Sequence, residues 1–586
     1  MKAFLISVLL LFISFCESAA QNSYGSLTPE RIYLHTDRDV YTAGDYLFYS
    51  LYLQGNSGTM SKYAYLVLRD RHNSLIAHER LEIENRKAFG SVYLPDTLSS
   101  GVYQIVCYTN SMRNEAQEVY FNKEIVIANR FDEQLNAFTE PFNSSSAVAS
   151  SDQISGRTTG NENLLIHPDK EVYNPREKIS FYIESNSIAE KSVAQLSVSI
   201  SEIVPGVPAE PAISEYFKNA SQSASTSDSK QNSCNFYSEI NEPVVQGRVI
   251  PAAQSGSMED SVSKNNAARY YTILISSPDS IVNMQYVKTD SMGSFRLLLN
   301  HFYDGKELYI RIKDDVKATI VLDDKFDLIE PFTSSGVFNV HGIKTFLTRS
   351  ENIALVRRSY NEQAVMDTVR KFLPANTIPR VYYKHYSSIL PSDYVELIDF
   401  AEISKEILPA LRIRKSSGSF FSYYVNIPGQ TQGSTEPQIF LDGVPIDDIN
   451  QIISLGSRQI RRIETLPFTR YYGEMSIAGI LAVSSNGLLI NNIQFKTPTL
   501  KCLALSSQSY TKPEPFKPAG TDKRIPDLRQ VLLWEPDIIM DSSKELHIEC
   551  YAADLQGKYR INIQGITSSG DPVNGSAIIT IQSKSN

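Results

Sequence analysis

The chain has 586 residues, 42% hydrophobic and 21% charged, and its 65 acidic against 56 basic side chains leave a net charge of -9. That length exceeds what one hydrophobic core organises, so several domains are expected. The mildly acidic balance argues against a nucleic-acid binder, and it is too modest to indicate a disordered chain.

Residues 1–20 read as a secretory signal: Lys2 is the charged start, 3–15 an uncharged, mostly apolar core, and Ser18-Ala19-Ala20 a small-residue cleavage site before Gln21. The apolar core is too short to span a bilayer permanently, and no later apolar run is long enough for a transmembrane helix. Cys16 offers a lipoprotein cysteine as the alternative, although Phe15 stands where a small residue is wanted. Beyond the signal only Cys107, Cys234, Cys502 and Cys550 remain, so the fold does not rest on a disulfide framework. Cys107 reads as a small buried hydrophobe. Cys502 and Cys550 fall in one expected C-terminal domain, which leaves their pairing open.

Residues 21–130 are expected to form one β-sandwich, because short alternating runs recur between glycine-marked turns. It opens on Arg31-Ile-Tyr-Leu-His-Thr-Asp-Arg-Asp-Val-Tyr-Thr-Ala-Gly-Asp45. The strand that follows puts Leu47, Tyr49, Leu51 and Leu53 on one face and Tyr46, Phe48, Ser50 and Tyr52 on the other. A degenerate copy recurs as Leu164-Leu-Ile-His-Pro-Asp-Lys-Glu-Val-Tyr-Asn-Pro-Arg-Glu177, in which His167, Asp169, Lys170, Tyr173 and Glu177 match His35, Asp37, Arg38, Tyr41 and Asp45 at one constant offset. That points to duplication. The motif resembles the Thr-Asp-Lys-x-x-Tyr-x-Pro-Gly-[Asp/Glu] turn of macroglobulin-type domains in the alpha-2-macroglobulin family, over 29–128 and, with Arg176 in place of the glycine, over 161–200.

Residues 131–160, rich in Ser, Asn and Thr, read as a linker. A second macroglobulin-like or regulatory β-sandwich region is expected at 161–330, with an irregular insertion at 204–242. Its Asp290-x-x-Gly293-x-Phe295 turn resembles the regulatory sandwiches found beside carboxypeptidases and at the front of outer-membrane receptors. Residues 331–379 read as a partly helical connector, with helical spacing over 352–373.

Residues 380–495 carry Pro437-Gln-Ile-Phe-Leu-Asp-Gly-Val-Pro-Ile-Asp-Asp448, then a basic segment ending in Arg461-Arg-Ile-Glu-Thr-Leu466, then Arg470-Tyr-Tyr-Gly473, then Ala478-Gly-Ile-Leu-Ala-Val-Ser484. These are strand, tight Asp442-Gly443 turn, link, strand, glycine-marked loop and closing strand. Four sub-motifs in this order resemble the plug domain of TonB-dependent receptors, with 394–413 as its opening segment. The chain departs from that family after Phe495, where far fewer residues remain than a barrel of about 22 strands of about 10 residues would need. Residues 496–586 instead read as a C-terminal β-sandwich, whose Trp534-Glu-Pro-Asp537 segment again resembles macroglobulin-type domains.

The thioester of protease-trapping macroglobulins needs Cys-x-Glu-Gln, and none of the four cysteines begins one. The chain also lacks a His-Glu-x-x-His helix, a Cys-x-x-Cys site, a Gly-x-Ser-x-Gly elbow and a phosphate loop, so no enzyme, metal or cofactor is expected. His35 and His167 are expected to bond the backbone of their turns. Arg412, Arg414, Lys415, Arg458, Arg461, Arg462 and Arg470 crowd the plug-like segment of an acidic chain. They read either as a solvated sheet face or, in the functional reading, as a docking face for an acidic partner.

The sequence therefore describes a mainly β, multidomain, exported Gram-negative protein of the periplasm or outer membrane: tandem macroglobulin-like sandwiches, an α/β plug-like domain without its barrel, and a C-terminal sandwich. The resemblances imply a non-catalytic binding or scaffold role, with an outer-membrane protein or TonB-dependent transporter as partner. The alternative is a thioester-less macroglobulin-like protease inhibitor.

Overall fold

A computed structural model describes residues 29–132, 163–185, 193–224, 235–252, 270–327, 385–425, 436–505, 526–541 and 545–583, apart from single positions, together with the strands 366–369 and 510–513 and a few residues between 330 and 381. The signal (1–20), most of the linker (131–160), most of the 352–373 stretch and Cys234 lie outside the described residues. The chain is mainly β and divides into two compact units, 1–241 with 325–370 and 508–586, and 242–324 with 371–507. Among the described residues no helix is long and apolar enough to cross a membrane.

In the first unit, Arg31–Thr36, Tyr46–Gln54 and Lys87–Tyr93 make a three-stranded antiparallel sheet. It faces a five-stranded sheet ordered Val40–Thr42, Phe121–Ala128, Gly101–Thr109, Tyr63–Arg69, Leu75–Glu82. Both faces of the interior of Tyr46–Gln54 are buried. The second face packs on another sandwich.

That second sandwich corrects the expected domain plan. Leu164–Pro168, Lys178–Ser185 and Leu546–Tyr551 form one of its sheets. The other is ordered Val172–Tyr173, Pro572–Ile581, Gly557–Thr567, Val193–Glu202, Val531–Asp541. The strands expected to build separate second and C-terminal sandwiches share one core that includes Ile179, Phe181, Leu196, Val198, Ile561 and Ile579. Neither set has enough sheet to cover its own apolar face. Pro536 sits where the pairing of Val193–Glu202 with Val531–Asp541 shifts register, the position expected for a residue that cannot donate to the ladder.

The insertion at 204–242 holds a helix, Ile213–Ala224, rather than irregular chain throughout. Ile213, Phe217 and Ala220 recur at helical spacing, and Tyr216 and Phe217 pack on Tyr33. In the connector, the described residues between 345 and 353 are helical, whereas Met366–Val369 is a strand paired with Tyr510–Pro513.

In the second unit, Ser294–Leu298, Val244–Pro251 and Ala318–Leu322 form one sheet. Met284–Lys288, Thr272–Ser276, Glu307–Ile312 and Thr499–Leu503 form another, so 499–503 belongs here and not to a C-terminal domain. Residues 387–485 build an α/β part with the sheet order Ser387–Ile389, Ile460–Leu466, Ile480–Ser485, Gln438–Leu441, Val444–Pro445. Helix Phe400–Ile407 covers it, turning Phe400, Ile403 and Ile407 into the core. Cys550 is buried in the first unit and Cys502 half-buried in the second, and both are free thiols, as is Cys107. Burial pushes the Cys550 thiol up to about 12.

Candidate functional site

The Asp442-Gly443 dipeptide joins Gln438–Leu441 to Val444–Pro445, with Leu441 opposite Val444. Its φ values of 49° and 85° make a two-residue turn in which both residues are left-handed. Asp442 is buried, and its carboxylate accepts from Ser485 N at 2.7 Å, Ser485 Oγ at 2.8 Å and Ile490 N at 3.3 Å. A β-carbon on Gly443 would come within 2.8 Å of the Asp279 carbonyl, so close approach as well as φ requires glycine here. Arg311 bonds Asp447 and the Pro445 carbonyl, donates to Thr497 Oγ1 at 2.7 Å and lies 4.2 Å from the Phe495 ring centre. The turn region is therefore anchored rather than free.

Helix Phe400–Ile407 starts at Asp399, whose side chain accepts from Glu402 N at 2.8 Å, while Glu402 accepts from Ile398 N at 2.8 Å. Within the segment 394–413 the helix therefore occupies only Phe400–Ile407. Ile398 falls outside the cap and is 81% exposed; Val395 is 80% and Tyr394 50% exposed.

The next strands, Leu411–Ser416 and Ser419–Tyr424, make a two-stranded hairpin closed by Ser417-Gly418 at φ 50° and 89°. The register puts Arg412 opposite Tyr423 and Arg414 opposite Phe421 on one face. Leu411, Ile413 and Lys415 share the other face with Tyr424, Ser422 and Phe420. Leu411 and Tyr424 enter the core and Ile413 and Phe420 pack against it, so the arginine face is the outward one. Arg414 lies 5.1 Å from the Tyr423 ring centre, and Phe421 stacks on Tyr423 at 6.1 Å.

The basic set is split. Arg412 and Arg414 lie on the outward face; Lys415 is on the opposite face, 5.2 Å from the Phe420 ring centre. Arg458 pairs with Glu396 at 2.6 Å, Arg461 contacts the Ser485 carbonyl at 3.5 Å, and Arg462 donates to the Ser280 carbonyl at 3.1 Å and lies 3.4 Å from Glu464. These three sit on the Ile460–Leu466 strand or the turn before it, and Arg470 is exposed on Arg470–Tyr472. The aromatic partners Phe421 and Tyr423 were not singled out from sequence. Their alternation opposite Arg412 and Arg414 across a Ser-Gly turn is the signal that finds them.

The histidine expectation is also corrected. His35 is fully buried between the two sandwiches of the first unit, with Nδ1 2.7 Å from Ser197 Oγ, Nε2 3.2 Å from Ser199 Oγ, and the Trp534 ring edge-on at 5.3 Å. Burial, then Lys123 and Lys87, hold its pKa well below the ordinary range, so it is neutral. Beside it Tyr52 donates to Ser197 Oγ at 2.7 Å, and Lys87 donates to the Leu196 carbonyl at 2.8 Å and pairs with Asp537 at 3.2 Å. His167 stacks on Tyr182 at 4.5 Å and approaches Glu184 at 3.5 Å. Neither imidazole bonds its own turn in the way expected. Among the described residues no group of three or more His, Cys, Asp or Glu is placed to hold a metal ion.

No protein-family model matches the chain, and no curated protein matches it. Among solved structures it is similar to Salmonella alpha-2-macroglobulin reacted with methylamine, at 10% identity and a TM-score of 0.23, covering 96% of this chain and 40% of that one. It is also similar to Escherichia coli alpha-2-macroglobulin activated by porcine elastase, at 8% identity and a TM-score of 0.24, covering 95% and 44%. The native conformation of the E. coli protein gives 9% and 0.23, covering 95% and 40%. The chain spans about two fifths of the length of these proteins.

Proposed function

We propose that this chain is a non-catalytic, exported binding protein that docks through the α/β part of its second unit on a protein of the Gram-negative outer membrane, as an accessory to a TonB-dependent transporter. The observation that carries the reading is the exposed stretch Tyr394, Val395 and Ile398, three large apolar side chains within five residues that return nothing to the fold's own core. Each square ångström of apolar surface left in water forgoes about 25 cal/mol, so a cluster of this kind is best accounted for by a partner that covers it. The resemblance of 437–484 to receptor plugs supports the choice of partner.

The test is co-purification from detergent-solubilised outer membrane with the full chain carrying Val395→Asp and Ile398→Asp. Both positions are exposed, so folding should be retained while the partner is lost. Retention of the same outer-membrane partner by the variant would remove the docking reading. If the wild-type chain instead holds a proteinase in a nicked complex, the inhibitor reading takes its place.

A further inference from the structure

The hairpin 411–424 has two edges, and they are treated differently. The outer edge of Ser419–Tyr424 is closed by side chains: Asn450 accepts from Phe420 N at 2.7 Å and donates to Phe420 O at 2.9 Å, and Glu436 accepts from Ser422 N at 2.9 Å. The outer edge of Leu411–Ser416 is closed only at Leu411 among the described residues, where the N–H donates to the Leu408 carbonyl at 3.2 Å and the C=O accepts from Ser404 Oγ at 3.1 Å. A two-residue turn makes Ser416 and Ser419 a hydrogen-bonded pair, so alternation makes Arg414–Phe421 and Arg412–Tyr423 hydrogen-bonded pairs as well. Ile413 and Lys415 therefore direct their N–H and C=O groups away from the hairpin. Among the described residues nothing bonds to those four groups.

Charge and shape then define what fits. Neither Arg412 nor Arg414 meets a carboxylate among the described residues; Arg412 donates only to the Leu408 and Leu411 carbonyls, and Arg414 leans on Tyr423. Residues two apart on a strand are separated by about 6.5–7 Å, and an added strand would lie about 4.8 Å away. Two carboxylates at alternate positions of an extended chain match the two guanidiniums. The intervening side chains of that chain would lie on the face that carries half-buried Ile413 and exposed Lys415, where an apolar group fits beside Ile413.

We infer that the Leu411–Ser416 edge takes an extended acidic segment of a partner protein as an added strand, with carboxylates at alternate positions paired to Arg412 and Arg414 and apolar residues between them. This rests on the docking reading and names the chemistry of the partner segment. An anionic lipid surface would answer the charges, but it would leave the Ile413 and Lys415 backbone groups without a strand to pair with. The competing account is that the cations merely blunt an exposed edge against aggregation.

The test uses the full chain and a fluorescein-labelled short peptide of alternating glutamate and valine, read by anisotropy. Saturable binding should weaken as salt is raised, and it should fall about tenfold or more in the Arg412→Gln, Arg414→Gln variant. It should fall similarly when the backbone amides of the peptide that face the edge are N-methylated, because strand addition needs those donors. No saturable binding, or equal binding of the N-methylated peptide, overturns the inference; so does arginine-dependent binding to anionic vesicles in place of the peptide. If the arginine variant still co-purifies with the partner that Val395→Asp and Ile398→Asp lose, the edge inference fails while the docking reading stands.

Discussion

Asp37 and Asp169 perform the same local task in the two copies of the repeated turn. Each accepts from a tyrosine four residues on, Tyr41 at 2.8 Å and Tyr173 at 2.5 Å, and from a backbone amide eleven residues on, Phe48 N and Ser180 N, both at 3.1 Å. Arg38 pairs with Asp45 in the first copy and Lys170 with Glu177 in the second. The surroundings differ. Asp37 is 2% exposed and His35 fully buried, whereas Asp169 is exposed and His167 half-exposed. The difference teaches that the duplicated residues specify a turn, and that their energetic weight is set by what packs over it: a second sandwich in one copy, solvent in the other.

The largest expected effect separates the copies directly. Asp37→Ala should cost the first unit about 3–5 kcal/mol, because it leaves Phe48 N short of its side-chain acceptor, removes one of the two acceptors of Tyr41 Oη and takes the carboxylate from beside the half-buried Arg38 guanidinium. Asp169→Ala should cost about 1 kcal/mol, since water replaces the carboxylate. The chain's single tryptophan, Trp534, lies at the seam and reports both transitions by fluorescence in urea. Equal losses would break the comparison.

A pH dependence follows next in size. Burial raises the Asp37 carboxyl to about 6, against the pull of Arg38 and of its hydrogen bonds. The folded chain then holds that proton more tightly than the unfolded chain, so the contribution of this group is fully present below about pH 4 and is lost as pH rises through about 6. The loss is about 3 kcal/mol. Asp37→Asn keeps an acceptor oxygen without the titration, so its urea midpoint should lack this slope between pH 4 and 6; an unchanged slope would assign it elsewhere.

His35→Ala should cost about 2–4 kcal/mol, through the cavity and the lost bonds to Ser197 and Ser199, against less than about 1 kcal/mol for His167→Ala. Thermal unfolding of the two variants compares them. A reversal of their order would mean that the seam does not carry the first copy.

The smallest effect concerns a position where one copy has glycine and the other does not. Gly44 has φ +93°, and its counterpart Arg176 holds φ +62°, where it forms a 2.7 Å pair with Asp554. Gly44→Ala should cost about 1–2 kcal/mol through φ alone, because the added carbon meets only an ordinary contact with Asp96. Arg176→Gly should stay within about 1 kcal/mol of the parent, as relief of φ offsets a partly exposed ion pair. Differential scanning calorimetry of the two variants decides it.

The turn repeat was legible because its hydrogen bonds span at most eleven residues, and the Asp442-Gly443 turn because two residues suffice to encode it. The composite sandwich was not legible, since Lys178–Ser185 finds its partner at Leu546–Tyr551 and alternation carries no address for a distant partner. The seam was hidden for a related reason. Ser197, Ser199 and Ser201 alternate with Leu196, Val198 and Ile200 in a pattern that reads as a watered face, yet Ser197 and Ser199 are buried under His35 and Tyr52. In the candidate site, the crowding of cations was visible and their division among three sheets was not, because that depends on which strands pair and which face of each meets the core.

The strands at 531–581 have a consequence for how the chain is made. Val193–Glu202 is synthesised early, but both its sheet neighbours, Val531–Asp541 and Gly557–Thr567, emerge only after more than three hundred further residues. During synthesis and any export the half-built sheet must wait with apolar Leu196, Val198 and Ile200 uncovered, while 242–324 and 371–507 can mature as the second unit in the meantime. A nascent chain arrested before residue 531 should therefore be a client for a periplasmic or cytosolic holdase, and a chain released whole should not.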